Sequence, residues 1–230
     1  MLVVFIGLPG SGKTSMVKKL SSILGINDCF VEPEEERWTA IAEEKEIYSN
    51  FSVITWLRSI RVPMLIKAEK ISREGRLVLL EPYYDKILHH YIGRPGMDWL
   101  ISPSDPYFSP LQETSKVDGV ELPNADVIVF TKIEENDWLA FLKKRGRNLD
   151  KDEGFLKTFE VHQNYLLEAA EKLAKEKNIP LVCFQQENSS PSKSAEKLID
   201  KLKKQDNLWL EFERILNKKQ LETKIEKVNN

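Results

Sequence analysis

The chain has 230 residues, a formal net charge of −2 and 30% charged residues. That length suits one large α/β domain, and no Pro/Gly/Ser-rich linker divides it. The near-balanced charge describes an ordinary solvated surface, which argues against nucleic acid or an anionic membrane as partner, and no apolar stretch is long enough to span a bilayer.

The first apolar run, Leu2-Val3-Val4-Phe5-Ile6, leads directly into Gly7-Leu8-Pro9-Gly10-Ser11-Gly12-Lys13-Thr14. This is an unbroken G-x-x-x-x-G-K-[ST] motif with a strand before it, and the apolar spacing of Met16, Val17, Leu20, Ile23 and Leu24 predicts the helix the motif needs after it. The glycines let backbone N–H groups close around phosphate oxygens, Lys13 reaches the β- and γ-phosphates, and the Thr14 hydroxyl is suited to Mg²⁺. Gly7, Gly10, Ser11, Gly12, Lys13, Thr14 and Ser15 are the candidate nucleotide-binding residues. Because the motif starts inside the first strand, no signal or transit peptide is expected ahead of it, and the expected location is the cytoplasm.

A second strand is predicted over Cys29 to Val31, and Glu32-Pro33-Glu34-Glu35-Glu36-Arg37-Trp38 follows it. A carboxylate at the end of that strand can take a proton from an attacking hydroxyl, and Trp38 offers a flat face for a base. The alternative is an acidic, solvated turn with Trp38 in the core. A helix over Phe51 to Ser72 carries Arg58 and Arg61. A third strand, Leu77 to Leu80, ends on Glu81, placed to hold Mg²⁺ directly or through water. Pro82 suits the first position of a helix that would turn Asp85 towards the same region, against sugar or base.

Residues 93–123 are rich in Pro, Ser, Asp and Gly without a period and predict an ordered insertion, with short helical pieces around Met97 to Ile101. A fourth strand, Val127 to Phe130, precedes a helix from about Asn136 that ends in Lys143-Lys144-Arg145-Gly146-Arg147. Cations at a helix end suit its dipole, but two arginines around a glycine also make forked donors for a transferring phosphoryl group, so residues 143–152 are read as a lid. The last strand is Leu181 to Phe184, with adenine expected near Gln185 to Ser190, and 207–230 predicts an amphipathic final helix that packs on its own domain or serves a dimer. Cys29 and Cys183 fall in or beside strands and read as small buried hydrophobes; with His89, His90 and His162 they form no metal-ligand pattern. Strands alternating with helices predict a parallel sheet flanked by helices on both faces, with ligands at the carboxyl ends of the strands. The domain is expected to span 1–206.

These pieces, in this order, resemble the deoxynucleoside kinases and, more distantly, the thymidylate kinases. The resemblance rests on the P-loop, on Glu32-Pro33…Trp38, on Glu81-Pro82-Tyr83 where the family has Glu-Arg-Ser, on Pro123 to Glu135, on Arg145-Gly146-Arg147, and on Phe155-Leu156 with His162…Tyr165. It implies a P-loop fold with a five-stranded parallel sheet, ATP and Mg²⁺ as cofactors, a nucleoside or nucleoside monophosphate as substrate, and a homodimer, as in many members. It further implies Glu32 as general base, Lys13, Arg145 and Arg147 as the other catalytic residues, Thr14 and Glu81 as metal ligands, and Trp38, Phe51, Arg58, Arg61 and Asp85 around the acceptor. Three departures stand out: Trp38 lies one residue further from Glu32 than is usual, Pro82 replaces the family arginine, and Phe51-Ser52 replaces Phe-Gln. Arg58 or Arg61 could supply the charge missing at position 82.

A thymidylate kinase-like enzyme is the first alternative. An already ionised phosphate needs cations rather than a base, so Glu32 and its acidic run favour a nucleoside. A regulatory GTPase, suggested by Thr131-Lys132-Ile133-Glu134 and by Asp118-Gly119, matches poorly because Glu134 is one methylene too long for the usual guanine contact. A P-loop protein that has lost catalysis is the third alternative.

Overall fold

The computed structural model of the chain describes residues 1–32, 45–146, 149–151 and 153–229. Trp38 and Arg147, both candidate site residues, lie outside the described residues. Five strands, β1 (Leu2–Gly7), β2 (Asp28–Phe30), β3 (Val78–Leu80), β4 (Val127–Ile133) and β5 (Leu181–Gln186), form one sheet in the order β2-β3-β1-β4-β5. Every neighbouring pair is parallel. The helices are α1 (Lys13–Leu24), α2 (Lys45–Arg73), α3 (Tyr84–Ile87), α4 (Phe108–Glu121), α5 (Glu135–Arg145), α6 (Glu153–Leu156), α7 (Phe159–Lys177), α8 (Pro191–Lys203) and α9 (Asp206–Asn229), with 3₁₀ turns at Leu88–His90 and Leu149–Lys151. This is the α/β P-loop architecture the alternation of elements predicts.

β1 lies at the centre because both of its faces are apolar. Successive side chains of a strand point to opposite sides, and here Leu2, Val4 and Ile6 join a core with Leu65 and Ala68 of α2, Leu111 of α4 and Leu166 and Ala170 of α7. Val3 and Phe5 join Met16, Val17 and Leu20 of α1, Leu198 and Leu202 of α8, and Phe212 and Ile215 of α9. Each large side chain removed from water in this way contributes about 1.5–3 kcal/mol. The two cores hold the parallel strands with all their carboxyl ends at one edge of the sheet, in a staggered register that sets Leu80 beside Val4 and Thr131 beside Gly7, and the chemistry collects at that edge. Among the described residues no helix is long and apolar enough to cross a membrane.

Four local expectations differ from the structure. The segment 93–123 contains a full helix, α4, while residues 98–100 form turns rather than a helical piece. The inward positions of α4 are Leu111, Ser115 and Asp118, so its buried stripe is mostly polar and hydrophobic periodicity cannot show it. Pro82 does not open a helix: the Glu81–Pro82 peptide is cis and α3 begins at Tyr84. The helix predicted from Phe51 starts at Lys45 and runs through Pro63, whose ring is exposed. Cys183 is exposed and Cys29 only half-buried, because β5 and β2 are the two edge strands and their outer parts are incompletely covered.

Candidate active site

The loop after β1 turns on two residues in the left-handed region, Gly10 at φ 80 and Gly12 at φ 78. A side chain at either position would be strained, and at Gly10 it would also run into Leu142. Gly12 is the N-cap of α1 and supplies no side-chain acceptor, so the first N–H groups of the helix remain available for an anion. Lys13 is buried and folded back over the loop, donating to the carbonyls of Gly7 (3.0 Å) and Leu8 (2.7 Å). Its Nζ lies 3.8 Å from Glu81 Oε1, and Thr14 Oγ1 donates to Glu81 Oε2 at 2.8 Å. Burial lowers the pKa of Lys13 against the pull of Glu81, and burial raises that of Glu81 against the pull of Lys13. Tyr84, half-buried and pushed well above the ordinary phenol value by loss of solvent and by the charges of Glu81 and Glu32, donates its hydroxyl to Gly7 O at 2.7 Å. Ser11 is buried in the loop, whereas Ser15 is exposed on α1.

Beside this cluster lies a row of charges drawn from distant parts of the chain. Arg61 of α2 directs Nε (2.6 Å) and Nη2 to the same oxygen of Glu32, Oε1, and its guanidinium sits 5.1 Å from the centre of the Tyr84 ring. Burial opposes the charge of Arg61, but the carboxylates of Glu32 and Asp85 outweigh it and hold its pKa above the ordinary value. Asp85 is buried, which raises its pKa while Arg61 opposes the rise. One turn before Arg61, Arg58 makes a two-pronged bond to Asp118 of α4, with Nε to Oδ2 at 2.6 Å and Nη2 to Oδ1 at 2.7 Å. Phe51 stacks on Tyr107 with ring centres 4.6 Å apart.

A third group comes from α5, which packs against the phosphate loop. Arg145, the last residue of α5, reaches Gly10, where an added Cβ would lie 3.1 Å from its Nη2. It is also bonded through Nε (2.9 Å) and Nη2 to the buried Asp150. Gly146 then ends the helix in the left-handed conformation, φ 71. The structure thus brings Gly7 to Thr14, Glu81, Glu32, Arg61, Asp85 and Arg145 to one end of the sheet, turns Arg58 towards α4, and occupies Phe51 with Tyr107. At the end of β5, where adenine was expected, Gln186 is buried and its Nε2 donates to Ser194 at 2.9 Å.

The amino-acid sequence alone assigns no role to Trp138; it reads Tyr84 as packing, Asp118 as a switch element and Asp150 only as part of the 143–152 lid. Tyr84 sits three residues after Glu81 and its position alone could have drawn attention, but an aromatic there reads equally well as packing. Asp118 was weighed only as a switch element of a GTPase, and its partner Arg58 is sixty residues away, a pairing no local signal carries.

No protein-family model matches the chain, and no curated protein matches it in sequence. Solved structures match its fold. A structure of deoxyadenosine kinase from M. mycoides with bound dATP covers 88% of this chain and 100% of its own at 17% identity, with a TM-score of 0.58. The same enzyme with bound dCTP covers 89% and 100% at 16% identity, with a TM-score of 0.56. The chain has a deoxynucleoside kinase-like fold, a five-stranded parallel P-loop sheet with its cluster of charges at the carboxyl ends of the strands.

Proposed function

We propose that the protein transfers the γ-phosphoryl group of ATP, with Mg²⁺, to the 5′-hydroxyl of a (deoxy)nucleoside. The observation that carries this reading is Glu32, anchored beside the phosphate loop by Arg61. Both guanidinium bonds go to Oε1, so Oε2 has no partner among the described residues. A base oriented through one oxygen with the other free is the arrangement that proton removal from a hydroxyl asks for. The deoxyadenosine kinases of like fold support an acceptor of the nucleoside class.

The parts of the site then divide the work. The Gly7 to Ser15 segment and Lys13 bind the donor phosphates. The oxygens of Thr14 and Glu81, 2.8 Å apart at the start of α1, are the hard donor set that Mg²⁺ takes, and they would hold it together with phosphate oxygens. When bound, the ion neutralises charge on the β- and γ-phosphates. Glu32 Oε2 accepts the proton of the 5′-hydroxyl as that oxygen bonds to phosphorus and ADP leaves. Arg61 supplies the cation absent at Pro82, and Arg145 with Arg147 stabilises the transferring group. Phosphate transfer from ATP and GTP to a panel of nucleosides and nucleoside monophosphates is the test. Phosphorylation of one or more nucleosides supports the reading; activity on monophosphates alone, or on nothing while nucleotide binds, overturns it.

A further inference from the structure

We propose that Trp138 is a positioning residue for the donor phosphates, acting through the Pro9–Gly10 peptide; this rests on the reading of the Gly7 to Thr14 loop as the nucleotide site. The Trp138 side chain is fully buried on α5, its ring held between Phe155 (centres 5.3 Å apart) and Phe159 (5.2 Å). Its indole N–H leaves this apolar setting to donate to the carbonyl of Pro9 at 2.9 Å, across 129 residues of chain. Burial obliges the indole N–H to find an acceptor, and the one it takes is a backbone carbonyl of the phosphate loop.

The consequence follows from the geometry of the peptide unit. The single cis peptide among the described residues is Glu81–Pro82, so Pro9–Gly10 is trans, and in a trans peptide the C=O and the next N–H point in opposite directions. Fastening the Pro9 oxygen to α5 therefore aims the Gly10 N–H away from α5. Among the described residues that N–H has no acceptor, unlike Ser11 N–H, which is spent on Leu8 O at 3.3 Å. An oriented, unspent N–H at the crest of a phosphate loop is a ready donor for a phosphate oxygen. The surrounding contacts prevent the peptide from rolling over: Leu142 and Arg145 abut Gly10, and the Phe141 ring lies 3.3 Å from where a Cβ of Gly12 would sit. α5 is thus a fixed backing plate for the loop.

The experiment compares Trp138→Phe, which removes the N–H and keeps an aromatic ring, with Phe159→Leu, which loosens the packing of the same ring and leaves the N–H in place. Binding of ATP and ADP is measured by calorimetry on the full chain, with thermal unfolding alongside. Trp138→Phe is expected to weaken both nucleotides roughly 3- to 10-fold, the usual effect of one lost hydrogen bond, and to leave the nucleoside KM unchanged. Phe159→Leu is expected to lower Tm without that loss of affinity. Equal nucleotide affinity in Trp138→Phe and wild type, or affinity losses in the two variants that simply follow their loss of Tm, would overturn the proposal. Wild type that fails to bind ATP overturns it together with the nucleotide site, whereas wild type that binds ATP and phosphorylates no nucleoside overturns only the proposed reaction and leaves the binding comparison to decide on Trp138.

Discussion

On the proposed reading, the donor side and the acceptor side of this site are built in different ways. The donor side is eight consecutive residues, Gly7 to Thr14, whose backbone does most of the work together with the side chains of Lys13 and Thr14, completed by Glu81, which meets Thr14 at 2.8 Å. The acceptor side has no continuous stretch: Glu32 follows β2, Arg58 and Arg61 come from α2, Asp85 from α3 and Asp118 from α4. Its charges are already satisfied by one another, Arg61 by Glu32 and Arg58 by Asp118. A phosphate cradle can be made by a local turn because every residue carries an N–H, while an acceptor pocket needs particular side chains and must collect them from several elements. The donor side should therefore respond to substitution as chemistry, and the acceptor side as chemistry and stability together.

The largest effect tests the donor side. A cation on a transferring phosphoryl group is worth roughly 10³- to 10⁵-fold in kcat, so Lys13→Ala should lose transfer to that degree with every acceptor. Steady-state rates across the nucleoside panel measure it, and a loss confined to one acceptor would mean that the two sides are not separate. Next comes Glu32→Gln, which keeps the shape of the side chain and removes the base; kcat should fall roughly 10²- to 10⁴-fold with ATP affinity nearly intact. An unchanged kcat would return Glu32 to the role of a structural partner for Arg61.

The third prediction concerns stability. Arg58→Ala leaves Asp118, only 7% exposed, without its two donors, and should cost about 1–3 kcal/mol in urea unfolding. Adding Asp118→Asn should recover part of that loss, since the two changes share one interaction. A midpoint unmoved by Arg58→Ala would show that the acceptor side is not part of the scaffold, and the contrast with the donor side would fail.

The effect that is smallest near neutral pH, and grows only as the medium is acidified, lies beneath both sides. His162 of α7 is buried, and burial, with a further push from Lys13, drives its pKa down to about 3. Its folded pKa lies below the unfolded value of about 6.5, so the unfolded chain binds the extra proton as pH falls. Stability should be complete above pH 6.5 and decline below it, by up to about 1.4 kcal/mol per pH unit down towards pH 3. His162→Leu should flatten that part of the pH profile of unfolding; an unchanged slope would remove His162 as its source.

The phosphate loop, the five strands and their parallel arrangement were legible in the amino-acid sequence because each rests on a signal confined to neighbouring residues: glycine spacing, an apolar run, a helical period. Glu81 and Glu32 were legible for the same reason, each standing just past a strand end. α4 was not, since its inward face is Ser115 and Asp118 and only Leu111 marks it as apolar. Nor was the start of α3, because a proline before a short helix reads as its first residue until the chain beyond it is seen.

What the sequence by itself determined is therefore the P-loop half: a strand, a glycine turn, a lysine and a hydroxyl in fixed order, whose geometry follows from the backbone once the residues are known. Only the tertiary structure decided which charge faces which. Arg58 and Arg61 lie three residues apart on one helix, so they project from neighbouring positions and no spacing rule separates them. Arg61 meets Glu32, two residues past β2, and Arg58 meets Asp118 of α4, partners that stand 29 and 60 residues away in the chain and that only the folded arrangement assigns. The bond from Trp138 to Pro9 is decided in the same way, by a sheet order that places the helix after β4 against the loop after β1.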